Sequence, residues 1–315
     1  MNQRPKVVRR AISGVVLLDK PSGPTSNQAL QRVKRMYRAE KAGHTGSLDP
    51  LASGLLPLCL GEATKVSAYL LDADKTYIVG ACFGSRTDTA DADGEVIETC
   101  QLPSQDPTAL ERAMDTLRGE ILQIPPMYSA LKHQGQRLYK LARAGEEVER
   151  KPRQVTIHAL QAQGWEDAQT LLLDVHCSKG TYVRTLVEDL GRALGSCAHV
   201  VSLRRIQAGP YRLGDQSVTL DELETVLAEQ GEEGLDTRLL PTDSAIADWP
   251  KLTLGADAAW FLRRGQAVIV PKAPIGGLLR LYGPEEQFLG IGEVQDDGRV
   301  APKRLIATQK NLEIK

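Results

Sequence analysis

Apolar residues follow two periods along the chain, and the places where one gives way to the other mark out its elements. Residues 14–19, Gly14-Val15-Val16-Leu17-Leu18-Asp19, form an apolar run that predicts a buried strand, closed by a Lys20-Pro21-Ser22-Gly23-Pro24 turn. Ala29, Leu30, Val33, Met36 and Tyr37 then recur at helical spacing behind Thr25 or Ser26 as cap, with Arg32, Lys34, Arg35 and Arg38 on most of the remaining surface. The same reading predicts a short helix over 65–71, a strand over 75–84 and an amphipathic helix over 108–117. Pro125-Pro126 forces an extended segment before a basic helix over 135–145 that ends at Gly145. Strands are predicted over 155–160 and 171–177 around a turn at Gly164. A strand end, a glycine turn and a helix follow over 178–191. Residues 220–248 hold an amphipathic helix and a linker. From about Lys251 the runs 262–268, 279–282, 288–294 and 301–306 read as short strands whose spacing suggests a small barrel.

One stretch obeys neither period. Residues 43–65 carry glycines at 43, 46, 54 and 61 and prolines at 50 and 57, so no plain helix forms there and a shaped loop is predicted. Its acid, Asp49, stands before Pro50, a pairing that serves equally as the cap of a short helix. Against that reading, His44, Thr45 and Ser47 precede it on backbone that glycine lets approach a ligand. Loops so composed carry function.

Composition narrows the class. At 315 residues, 42% hydrophobic and 25% charged, the chain is an ordinary globular protein, long enough for one large and one small domain. Neither a signal segment nor a membrane-length apolar run is seen, and a cytoplasmic protein is expected. The cysteines, at 59, 82, 100, 177 and 197, are odd in number and scattered, so neither structural zinc nor a disulfide framework is expected. His176 beside Cys177 suggests a metal or nucleophilic dyad, but strand neighbours face opposite sides. The acidic segment 86–94 lacks the terminal Glu of a calcium loop, and Lys20 to Ser26 lacks the phosphate-loop order.

The net charge of −1 argues against a wholly basic nucleic-acid binder, but the charge is unevenly spread. Lys and Arg exceed acids by eight over 1–41 and by four over 132–153, whereas 215–248 holds ten acids and only Arg238. Such polarity either steers a polyanion to one face or is plain solvated surface. Arg184, in apolar surroundings, needs a carboxylate partner, with Glu188 four residues on as the local choice. Tyr77 on its strand and Leu203 are by default core.

Gly43-His44-Thr45-Gly46-Ser47-Leu48-Asp49-Pro50-Leu51-Ala52-Ser53-Gly54-Leu55-Leu56-Pro57 resembles the catalytic motif of the bacterial tRNA pseudouridine-55 synthases, the TruB family. Lys20-Pro21-Ser22-Gly23-Pro24-Thr25-Ser26 resembles that family's segment near the active site, and Ala198 to Ile206 its closing motif. The resemblance covers about 14–306. It implies an α+β pseudouridine synthase fold, a mixed and mainly antiparallel sheet flanked by helices with a thumb-like insertion, plus a PUA-like β-barrel. Domains would span 1–248, with the insertion at about 124–153, and 249–315.

The implied activity is isomerisation of uridine to pseudouridine in the T-loop of tRNA, with the base flipped out. Asp49 would be nucleophile or general base, Arg184 its partner, and Tyr77 the surface on which the base stacks. His44, Lys20, Leu203 and Tyr182 would bind the substrate, and Lys132, Arg137, Arg143, Arg150 and Arg153 would clamp RNA. No cofactor, metal, membrane or protein partner is implied, and a monomer is expected. Two other readings keep the RNA: a non-catalytic tRNA-binding or folding protein, and a synthase acting on ribosomal or guide-directed RNA.

Overall fold

The computed structural model describes residues 8–214 and 216–307. The first residues of the basic N-terminal stretch, Asp215 in the acidic one, and residues 308–315 of the expected second domain lie outside the described residues.

In chain order the elements are β1 (Gly14–Lys20), α1 (Ser26–Met36), β2 (Ala42–His44), β3 (Ser53–Leu60), α2 (Ser67–Leu71) and β4 (Lys75–Phe83). A hairpin, β5 (Ser85–Thr87) and β6 (Val96–Thr99), leads to α3 (Pro107–Asp115) and β7 (Gly119–Gln123). A second hairpin, β8 (Lys132–His133) and β9 (Gln136–Arg137), precedes α4 (Leu138–Arg143), then β10 (Arg153–Trp165), β11 (Thr170–Cys177), α5 (Val183–Ala193) and β12 (Ala198–Ala208). The short β13 (Tyr211–Arg212) and β14 (Ser217–Val218) lead into α6 (Leu220–Asp236). The last part holds β15 (Lys251–Thr253), α7 (Ala256–Arg263), β16 (Gly277–Tyr282), β17 (Phe288–Val294) and β18 (Val300–Leu305).

A sheet of ten strands organises the chain, in the order β14-β1-β3-β12-β4-β11-β10-β7, with β2 added to β3 and β13 to β12. Its pairings are antiparallel except β1 with β14 and β12 with β3. Both faces of its centre are covered, which is why β1 is apolar without alternation. Val16 and Leu18 join the core under α1, α3, α5 and α6, whereas Val15 and Leu17 face a second cluster that Ile291 of β17 completes.

The same double burial overturns one expectation. Ser53–Leu60 is not loop but a buried strand beside β1, with Leu56, Leu58 and Leu60 on one face and Leu55 and Cys59 on the other. Gly54 is needed there: it has φ of +98°, and a Cβ on it would lie 2.3 Å from the Arg205 carbonyl oxygen of β12. Gly164 likewise lies inside β10, at an irregularity in its pairing with β11, and the chain turns after Trp165.

The second sheet is open among the described residues. It runs β15-β16-β17-β18, with β18 extended only by a bridge from Val300 to Val268 and no pairing of β15 with β18, so the expected barrel is not closed. Part of the predicted strand at 262–268 is the end of α7, because Ala259 and Leu262 face the small core at helical spacing and Gly265, with φ of +83°, ends the helix.

Two further corrections concern side chains. Cys100 and Cys197, 97 residues apart, are joined by a disulfide, contrary to expectation. Gly84 brings them together: its N–H donates to the Cys197 carbonyl at 2.8 Å and its carbonyl accepts from the Cys100 N–H at 2.9 Å. The basic N-terminal and acidic 215–248 segments do not form opposed faces. They meet, with Arg32 on Glu224 at 2.7 Å, Arg38 on Glu232 at 2.7 Å and Arg10 on Glu232 at 3.1 Å. Three of the cations in that basic surplus, Arg10, Arg32 and Arg38, are therefore spent on the acids of α6.

Candidate active site

Asp49 sits in the bend between β2 and β3, and buried bonds tie both flanks of that bend. No helix follows it, so the capping role does not arise; its carbonyl instead accepts from the Ala52 N–H at 3.1 Å. On one side the Ser26 hydroxyl, at the start of α1, accepts from the Leu48 N–H at 2.7 Å, and the Gly23 N–H donates to the Pro50 carbonyl at 2.8 Å. Lys20 to Ser26 is thus a brace for the loop rather than a phosphate cradle. On the other side the Thr45 N–H donates to the Pro57 carbonyl of β3 at 3.2 Å.

Beneath the loop lies Arg205, only 1% exposed, at an inward position of β12. Its Nε donates to the Leu55 carbonyl at 2.7 Å and Nη2 to the Gly46 carbonyl at 3.1 Å, so one guanidinium joins the two ends of the bend that carries Asp49. Arg205 falls within the closing motif at 198–206, and the resemblance implies no role for it. Its signal was a charge two positions from Leu203 on a strand, hence on the same face.

Arg184 reaches the site from the first turn of α5. The buried Gln123, at the end of β7, fixes that turn by accepting the Tyr182 N–H at 3.0 Å, since no capping side chain is present. Arg184 is buried, and its partner is not Glu188. Nη2 lies 2.9 Å from Asp49 Oδ2, and Nη1 lies 3.2 Å from Oδ2 of the buried Asp91. Nη1 also donates to the Thr89 carbonyl and Nη2 to the Tyr128 carbonyl, each at 2.8 Å. One buried cation thus faces two carboxylates, which keeps its desolvation compensated. Asp91 belongs to the acidic segment 86–94, whose composition alone gives it no such partner.

Burial pushes the Asp49 carboxyl above the usual carboxylate range, and Arg184 pulls against that rise while Asp91 and Asp93 add to it. The Asp49 side chain nevertheless keeps 43% of its surface open to an incoming ligand. His44, at the end of β2, is held below the usual imidazole range by burial and then by Arg205, and its Nδ1 is buried with no hydrogen-bond partner among the described residues. Tyr77 is half-buried on β4, its hydroxyl raised by burial and opposed by Arg205. Leu203, opposite Val79 in the β12–β4 pairing, is buried.

Lys20 is fully buried, with Nζ donating to the Pro21 and Pro24 carbonyls at 2.7 and 2.8 Å, and burial lowers it to about 8. The charge of Asp49 opposes that lowering. Tyr182 is half-buried just before α5.

The expected clamp residues lie on an insertion with a simple origin. Gln123 of β7 and Arg153 of β10 are paired, so residues 124–152 leave and return at the same point of the sheet. Leu138 and Leu141 are its buried anchors. Lys132, Arg137, Arg143 and Arg153 are exposed, and Arg143 stacks 5.8 Å from the Tyr139 ring. Arg150 is different: it bonds the Pro125 carbonyl at 3.2 Å and Glu147 at 3.1 Å, and so is engaged in holding the insertion together. No helix among the described residues is long and apolar enough to cross a membrane.

Three family models match in succession: the TruB family pseudouridylate synthase N-terminal domain over 34–183, the tRNA pseudouridylate synthase B C-terminal domain over 184–247, and the pseudouridine synthase II TruB C-terminal region over 250–306. The chain is 56% identical over 304 residues to tRNA pseudouridine synthase B of Pseudomonas fluorescens strain Pf-5, covering 96% of this chain and 99% of that one. It is 53% identical over 302 residues to tRNA pseudouridine synthase B of Coxiella burnetii strain RSA 331, covering 96% and 97%. Among solved structures it resembles a chain of a Cbf5-Nop10-Gar1 complex, with TM-score 0.69, 27% identity, and 96% and 81% of the two chains covered. The archaeal box H/ACA Nop10-Cbf5 complex gives TM-score 0.70 at 25% identity, with 94% and 86% covered. Identity at this level over nearly the whole of both chains leaves no room for a shared fold alone: the chain belongs to the TruB family of pseudouridine synthases.

Proposed function

We propose that this chain isomerises uridine to pseudouridine in tRNA, at position 55 of the T-loop, with Asp49 as its essential group. The reaction breaks the N1–C1′ bond, rotates the base and forms a C5–C1′ bond; the C5 hydrogen leaves to water as a proton and N1 takes one up. Nothing is oxidised and no group is donated. The observation that carries this reading is the Asp49 carboxylate, 2.9 Å from a buried Arg184, on a loop whose two ends a second buried arginine joins. A carboxylate so fixed and still open on one side can serve as nucleophile or general base, because it need not reorganise when charge develops beside it.

The remaining residues take roles that follow from their surroundings. Tyr77 offers a flat face on which the flipped base stacks, Leu203 closes the apolar side, His44 and Tyr182 line the approach, and the buried Lys20 acts from behind by holding the turn that braces the loop. His44 enters as the neutral imidazole, given the direction of its shift. Flipping the base costs about a few kcal/mol of lost stacking. Lys132, Arg137, Arg143 and Arg153 supply binding energy through phosphate contacts, with the insertion acting as the grip. A monomer working in the cytoplasm without a protein partner is sufficient for this scheme, because the grip and the acid belong to one chain.

The test is release of tritium from C5-labelled uridine in a T-arm hairpin. Release is expected from the hairpin carrying uridine at position 55 and not when only another uridine of the loop carries the label. Tight binding with no release from any position would leave an RNA-binding protein and end the catalytic reading.

A further inference from the structure

Away from Asp49, the sheet gathers two imidazoles and a carboxylate that the isomerisation does not use. Asp74 precedes β4, His158 lies on β10 and His176 on β11, and one ligand atom from each falls within 4.8 Å of the others. Adjacent strands bring them together. Thr76 and Lys75 of β4 lie opposite His176 and Cys177, so Asp74 is the next residue along that edge. On the other side Ile157 faces Cys177 and Ala159 faces His176, which leaves His158 as the extra residue of a bulge. In a bulge two residues stand opposite one. His158 is thereby set beside His176, with ring centroids 4.8 Å apart.

One of the three spacings is already that of two ligands around one ion, and the remaining donors, within 4.8 Å, need only a small side-chain rotation to join them. His158 Nε2 lies 3.1 Å from Asp74 Oδ2. Two donors each about 2.1 Å from a cation stand about 3.0 Å apart at a right angle and about 3.4 Å apart at the tetrahedral angle. A plain surface ion pair accounts for His158 and Asp74 but gives the second imidazole no carboxylate, and such pairs contribute little. Two imidazoles and one carboxylate suit zinc, nickel, cobalt or copper, whereas magnesium and calcium favour oxygen donors alone.

We propose that Asp74, His158 and His176 bind one divalent transition-metal ion of the zinc class, with water completing its coordination. His176 alternates with the buried Val175 and Cys177, and Val175 lies opposite Tyr77, so the ion sits on the sheet face away from the reacting base. It ties the start of β4, the strand that carries Tyr77, to β10 and β11. Its role is to fasten that strand, and binding to the folded chain alone raises stability by mass action.

The test uses the full chain stripped with chelator and dialysed against zinc in excess magnesium. One equivalent of zinc is expected, with a higher melting temperature. His158→Ala and His176→Ala should each weaken binding at least about tenfold, and the double variant should lose both the equivalent and the melting shift. All three variants should release tritium from the hairpin like the parent when no metal is added, which shows that they are folded. Cobalt should give visible bands without a thiolate charge-transfer band, which separates this site from Cys59, Cys82 and Cys177. No stoichiometric uptake by the parent, equal uptake by the double variant, or a thiolate band that survives in the double variant would each overturn the proposal.

Discussion

The loop that carries Asp49 and the insertion at 124–152 meet on a single residue, Arg184, yet the chain treats them in opposite ways. One amino group of Arg184 holds Asp49 at 2.9 Å and the Tyr128 carbonyl of the insertion at 2.8 Å. On the Asp49 side, the Gly23–Ser26 segment, Pro57 and Arg205 fix the backbone through hydrogen bonds from three separate parts of the chain. On the insertion side, Leu138 and Leu141 are anchors while Lys132, Arg137 and Arg143 face solvent. The difference separates two demands. Bond-making needs an acid whose position does not vary, and holding an irregular polyanion needs charges that can follow it.

The largest effect should come from the acid itself. Asp49→Asn keeps the volume and removes the charge, and is expected to lower the single-turnover rate by more than about 10³-fold while hairpin affinity changes little. Next is its partner. Arg184→Lys should cost about 10–100-fold, because one ammonium cannot serve Asp49, Asp91 and two carbonyls together.

The pH profile gives the sign of that interaction. Burial raises the Asp49 carboxyl, and the ionised form is the active one, so activity is present above its folded pKa and is lost as pH falls through it. Arg184 opposes the rise, so Arg184→Met should move the acid limb of the rate profile to higher pH. An unmoved limb would mean that another group titrates.

A smaller effect tests the support beneath the loop. Gly54→Ala would place a Cβ 2.3 Å from the Arg205 carbonyl oxygen at a φ of +98°, forcing β3 from β12. A loss of roughly 1–3 kcal/mol in denaturant unfolding is expected, in the range for overpacked sites. The slightest change should follow Arg150→Ala in RNA affinity, because that guanidinium is already spent on Glu147 and the Pro125 carbonyl.

What could be read from the sequence divides along the same line. The α1 cap, the runs of β1 and β4 and the α5 turn are local patterns, and their residues announced them. Ser53–Leu60 was obscured because Gly54 and Pro57 signal a loop locally, while the reason they are tolerated, a neighbouring backbone and a strand covered on both faces, is tertiary. The pairing of Arg184 with Asp49 spans 135 positions; spacing alone favoured Glu188, and only family resemblance pointed to the acid. Arg205 and the Cys100–Cys197 bond carried no family cue in that reading. Both depend on strands that meet only after folding. The charge count misled for a related reason, since it could not show that Arg10, Arg32 and Arg38 meet the acids of α6.

The most direct test of the division between fixed acid and adaptable grip compares two variants on one T-arm hairpin. Single-turnover rates at saturating protein and affinities across a salt series would be measured for Asp49→Asn and for a combined Lys132→Ala, Arg137→Ala and Arg143→Ala chain. The first should lose its rate and keep the parent's affinity and salt slope. The second should bind more weakly, with a slope reduced by about two, near 0.7 per lost single-strand phosphate contact, and keep the parent's saturated rate. A combined variant whose saturated rate falls as far as that of Asp49→Asn would contradict the account, because chemistry and grip would then be one function rather than two.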